Sequence, residues 1–93
     1  MEDRAKVVKK MTSHITGMDV VAAVAHLKTE GAIKEDITLT NYKEYAPIVG
    51  DYIYGIQASS NPEYAELGAE SASMNCQKRV SGLLRYLAAR ERI

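Results

Sequence analysis

Residues 61–93, NPEYAELGAESASMNCQKRVSGLLRYLAARERI, decide the fold. Ala65, Ala69, Ala72, Cys76, Val80, Leu83 and Leu87 recur at steps of three and four, the spacing of one helix face. Asn61 followed by Pro62 is a favoured helix start. Asn caps free backbone N–H groups, and Pro in the first turn needs no N–H of its own. The stretch reads as one uninterrupted helix to the C-terminus, and its charge is sorted along its length. Glu63, Glu66 and Glu70 come first; Lys78, Arg79, Arg85, Arg90 and Arg92 follow, with Glu91 the one late acid. Acids at the start and bases at the end suit the helix dipole.

The stripe is small from Ala65 to Ala72 and bulky from Val80 to Leu87. Small residues admit another backbone, and large ones fill a core. A helix of about 30 residues would be about 45 Å long, against roughly 25–30 Å for a compact domain of this size. Part of it should overhang, and an overhanging apolar stripe is usually covered by another subunit. The expectation is a homo-oligomer whose interface includes Ala65, Ala69, Ala72, Cys76, Val80, Leu83 and Leu87.

Upstream, three more helices are expected. Val7, Val8, Met11 and Ile15 have helical spacing within 3–15. Thr16 with Asp19 three residues on resembles a capping box, and Val20, Val21, Val24 and Leu27 mark a second helix over about 18–30, stopped by Gly31. A third, from Asp36 or Thr38, carries Leu39, Tyr42, Ala46, Val49, Ile53 and Ile56 on one face. Pro47 should kink or break it. Tyr52-Ile53-Tyr54 could form a strand but has no partner strand, so helix is preferred over 50–57. Ala58-Ser59-Ser60 reads as a loop. The fold class is all-α: one domain over 1–93, a small bundle of about four helices with a long C-terminal one.

Composition narrows the function. With 93 residues and 46% hydrophobic content the chain is a globular domain rather than a disordered one. Formal net charge is zero, with basic ends and an acidic middle: residues 11–60 hold three Lys against six acids. No whole-molecule attraction to nucleic acid is expected, though local basic patches remain. A single cysteine, Cys76, rules out an internal disulfide framework. No run approaches a membrane span and no apolar signal stretch follows Met1, so no membrane partner and a cytoplasmic location are expected.

Candidate chemistry is sparse. Cys76 lies on the apolar stripe and reads as a small buried hydrophobe. His14 and His26 fall on different helices, and no Cys or carboxylate pattern completes a metal set. Glu35-Asp36 sits at an expected helix start, where acids serve the dipole. The glycines are scattered, with no phosphate loop. No enzyme, cofactor or metal is expected. Tyr42, Tyr45, Tyr52 and Tyr54 read as amphipathic fillers at a helix interface before base-stacking platforms. Lys78, Arg79, Arg85, Arg90 and Arg92 form the best nucleic-acid candidate, as a phosphate-tracking edge.

Two resemblances bear on these readings. Leu27, Gly31, Ile33, Asp36, Leu39, Tyr42 and Tyr45, followed by Asn61-Pro62 and a helix ending Leu83-Leu84-Arg85-Tyr86-Leu87, resemble one group of small terminase subunits of tailed phages. The resemblance covers roughly residues 20–90. It implies a ring-forming helical protein that recognises DNA for packaging. The chain departs from that group in lacking its Gly-Leu-Thr-Pro ending, in Pro47 and in its shortness. Residues 25–33, AHLKTEGAI, are similar to the second helix and turn of death-fold recruitment domains, which implies an adaptor. The function expected first is a DNA-recognition or packaging component. The alternative is a protein- or ligand-binding helical module, such as a phage inhibitor of a host pathway or an adaptor domain.

Overall fold

The computed structural model describes residues 3–93 and, within them, every side chain but those of Ala69 and Glu70. Among the described residues five helices follow in order: α1 Arg4–Ser13, α2 Gly17–Thr29, α3 Tyr42–Ser60, α4 Pro62–Ala65 and α5 Ala69–Arg90. The fold is an all-α bundle with a long C-terminal helix, and the described residues contain no strand.

Local signals explain the helix ends. Asp3 caps α1 by accepting the Ala5 N–H at 3.2 Å. Thr16 and Asp19 form the full capping box of α2. The Thr16 hydroxyl accepts from the Asp19 N–H at 3.3 Å, and the Asp19 carboxylate accepts from the Thr16 N–H at 2.8 Å. Gly31, at φ +82°, turns the chain after α2. The Ala32 N–H then closes back on the Leu27 carbonyl at 2.9 Å, the bond of a Schellman stop.

The third helix begins at Tyr42, later than the apolar spacing implies. Residues 33–41 run without helix, and Ile33 and Ile37 are buried. The Ile37 N–H donates to the Ile93 carbonyl at 2.7 Å, and the Ile93 N–H returns to Ile37 at 3.4 Å. Asn41 holds this turn: its side chain accepts the Thr38 N–H at 2.7 Å and donates to the Asp36 carbonyl at 3.0 Å. Leu39 therefore points away from the core and is exposed. Helix α3 then runs unbroken through Pro47 and over 50–57. Proline there removes only one bond, from near the helix start. The expected loop at 58–60 is instead the last turn of α3, where Ser59 and Ser60 donate to the Gly55 and Ile56 carbonyls at 2.8 and 3.1 Å.

The closing helix is not continuous. Asn61 caps its start, accepting the Glu63 N–H at 3.0 Å, but the helix stops after the single turn α4. The chain turns at Gly68, φ +86°, a conformation costly for a side-chain-bearing residue. The turn lets Tyr64 and Leu67 both face the core, and the Arg4 guanidinium donates to the Leu67 carbonyl. Helix α5, 22 residues and about 33 Å long, is shorter than the 42 Å long axis of the molecule. The length argument for an overhang therefore does not hold.

The stripe of α5 is covered from within the chain. Ala72, Cys76 and Val80 are fully buried, and Leu84 joins them. Helix α3 lies antiparallel against this face, with Ser73 bonded to Asp51 at 3.0 Å and Gly50 against Gln77. The backbone that the small residues admit is that of α3. Of the expected interface, Ala72, Cys76 and Val80 are thus unavailable to a second subunit. Leu83 and Leu87 are half-buried, and Ala65 is exposed on α4. The side chain of Ala69 lies outside the described residues.

Candidate functional site

Helix α2, GMDVVAAVAHLKT, is apolar on both sides. Val20, Ala23, Val24 and Leu27 enter the core. Met18, Val21, Ala22 and Ala25, spaced three and four apart, share the opposite face and are exposed, Met18 at 84%. With Leu87 of α5 they line an open apolar groove of about 620 Å³. Leu87 approaches the start of α2 at Gly17, where a Cβ would lie 3.9 Å from the Leu87 Cδ2, an ordinary contact.

Periodicity assigns Val21 to the core, and the structure assigns it to the surface, with Ala23 buried instead. The signal for the groove is the scarcity of polar residues over the first two turns: between Gly17 and Ala25 the one charged residue is Asp19, which the capping box uses.

The five basic candidates do not form one patch. Arg79 donates through Nε and Nη2 to the Ile15 carbonyl, at 3.2 and 3.0 Å, and so ties α5 to the α1–α2 turn. Arg90 donates to the Tyr86 hydroxyl at 2.7 Å and lies 5.5 Å from that ring's centroid. Arg92 follows the end of α5. Lys78 and Arg85 are exposed and, seven residues apart, share a face two turns along.

Several of the other candidate groups are engaged within the fold. Asp36 takes the Lys28 ammonium at 2.8 Å, which lowers its pKa, with a smaller contribution from Arg92. Glu35 accepts from Asn41 at 3.0 Å and from the Tyr45 hydroxyl, and this bond raises Tyr45 to about 12. The two neighbouring carboxylates thus serve separate partners. His26 stacks on Tyr52 at 5.2 Å and meets Glu30 at 2.8 Å. His14 is exposed at the α1–α2 turn. Burial pushes the Cys76 thiol up to about 11, away from a nucleophilic thiolate. Tyr54 and Tyr64 are core residues, with the Tyr54 hydroxyl on the Tyr64 carbonyl at 3.2 Å. Tyr42, Tyr45 and Tyr52 pack half-buried against the core.

Among the described residues no cluster of three His, Cys, Asp or Glu could hold a metal ion, and no helix is long and apolar enough to cross a membrane. No protein-family model, curated protein or solved structure matches the chain.

Proposed function

We propose that this chain is a non-enzymatic helical module that binds another protein through the groove between α2 and Leu87. The reading rests on the exposure of Met18 and Val21 beside Ala22 and Ala25, an apolar face turned to solvent over the first two turns of α2. Leaving such a face in water forgoes roughly 25 cal/mol for each Å² that a partner would cover. Ala22 and Ala25 present little side chain, so another backbone can approach closely.

The test is a titration of ¹⁵N-labelled protein with model amphipathic helices bearing Leu at i, i+3, i+4 and i+7. Amide shifts should cluster over residues 17–26 and at Leu87, and Met18→Asp should remove them. Shifts absent throughout, or confined to other surfaces, would sink the reading.

A second reading is nucleic-acid binding of the terminase kind. Lys78 and Arg85, exposed on one face of α5, favour it. Phosphate-driven binding would weaken steeply as salt rises, and a Lys78→Gln/Arg85→Gln double variant would lose it. DNA binding absent at the lowest salt tested would remove this reading.

A further inference from the structure

The charge along the groove's edge narrows what can occupy it. Arg79, Leu83, Leu87 and Arg90 follow one another at steps of four, four and three, so they share a face of α5. That face is turned toward the α1–α2 turn, because Arg79 is bonded to the Ile15 carbonyl and Leu87 lies against Gly17. Leu87 is the α5 residue that lines the groove; on the same face of α5, Arg90 lies one turn beyond it and Arg79 two turns before it.

Neither guanidinium is ion-paired with a carboxylate among the described residues. The Arg79 partner is a backbone carbonyl and the Arg90 partner a tyrosine hydroxyl, both neutral acceptors, so both positive charges stand uncompensated. Asp19 borders the groove on the side away from α5, about 60° round the α2 axis from Ala22, and its carboxylate is held by Thr16. Glu91 follows the end of α5 in extended backbone.

The size of the face argues for a single helix. Met18 to Ala25 spans two turns, about 10 Å of α2. A stable pair of globular surfaces needs about 800 Å² from each partner, far more than four α2 side chains and Leu87 supply. A two- or three-turn helix laid beside α2 matches both the length and the small floor at Ala22 and Ala25.

Building on the groove reading, we propose that the occupant is an amphipathic helix with carboxylates flanking its apolar stripe. Its leucine-like residues lie on Met18, Val21 and Leu87, and its carboxylates face Arg90 and the outward edge of Arg79. Attraction across such a rim sets selectivity and falls with salt.

The experiment uses the whole chain and three synthetic helices with one apolar pattern, flanked by Glu, Gln or Lys. At about 50 mM salt the Glu helix should bind about tenfold more tightly than the Lys helix, and the gap should close near 500 mM. Arg90→Glu, at an exposed position, should reverse the order while leaving the helical circular dichroism unchanged and lowering the melting temperature by no more than the loss of its Tyr86 contact and its place at the helix end. Equal binding by all three helices would overturn the charge assignment and leave the groove reading standing. No binding by any of them would overturn both. A dimer in light scattering that Met18→Asp dissolves would give the groove to a second copy and overturn the acidic helix.

Discussion

Gly50 and Gln77 touch backbone to backbone: a Cβ on Gly50 would lie 2.6 Å from the Gln77 Cα. No side-chain rotation relieves a clash with a Cα, so α3 and α5 must separate to admit even alanine. Around this contact Val49, Ile53, Ala72, Cys76 and Val80 close with almost no solvent exposure. Gly50→Ala gains about 1 kcal/mol of helix propensity but forces apart a packed interface, which costs typically about 1–3 kcal/mol and more where backbone must move. The variant should be less stable by about 2 kcal/mol and melt roughly 10 °C lower. Gly55→Ala, with nothing within 4 Å of the new Cβ, should be stabilising by about 0.5–1 kcal/mol. Thermal melts of the pair decide. Equal shifts in the same direction would show that helix propensity, not close approach, governs position 50.

The features legible in the sequence are those whose partners lie a few residues away. Thr16 and Asp19, Gly31, and Asn61 with Pro62 all act where their local chemistry predicts. The break at Gly68 was hidden because glycine also suits a small helix face. What selects the break is the burial of Tyr64 and Leu67 and the reach of Arg4 from 63 residues upstream. The late start of α3 depends likewise on Ile37 pairing with Ile93, at the far end of the chain. The groove escaped periodicity for another reason: when both faces of a helix are apolar, the 3.6-residue repeat no longer says which one is buried.

Arg79 illustrates how a basic residue can be used by the fold. Its two N–H groups satisfy the carbonyl of Ile15 in the turn between α1 and α2. A charged hydrogen bond contributes about 1.5–3 kcal/mol; for an exposed arginine the lower end, about 1.5 kcal/mol, is the expected loss in Arg79→Ala. Lys78→Ala, one residue earlier and bonded to nothing among the described residues, should change stability by less than about 0.5 kcal/mol. Chemical denaturation of both variants separates the cases. If the two lose equally, Arg79 is not holding the turn.

Cys76 should be slow to react in the native protein. Its thiol is fully covered, and burial moves it from 9.0 to about 11. At pH 8 the thiolate fraction alone then falls about 100-fold, before access is considered. Ellman's reagent should label the native protein at a rate set by unfolding and label the denatured protein at once. Rapid native labelling would contradict both the packing of α5 on α3 and the reading of this residue as a core hydrophobe.

The turn before α3 carries a pH signature at both extremes. Tyr45 donates to Glu35 and its pKa rises from 10.0 to about 12. A pKa raised in the folded state means that the unfolded chain releases its proton first as pH climbs. The stabilisation is complete below pH 10 and is lost as pH rises toward 12. At the acid end Asp36, lowered by Lys28, stabilises the fold above its ordinary value of 3.8, and that contribution disappears as pH falls below it. Tyr45→Phe should flatten the alkaline limb of the stability profile and leave the acid limb intact, whereas Asp36→Asn should do the reverse. Asp36 is exposed and the Tyr45–Glu35 bond lies at the surface, so each effect should be small and the Asp36 effect should shrink with added salt. An alkaline limb unchanged by Tyr45→Phe would mean that the Glu35–Tyr45 bond does not hold residues 33–41 in place, and that the pairing of Ile37 with Ile93 does so without it.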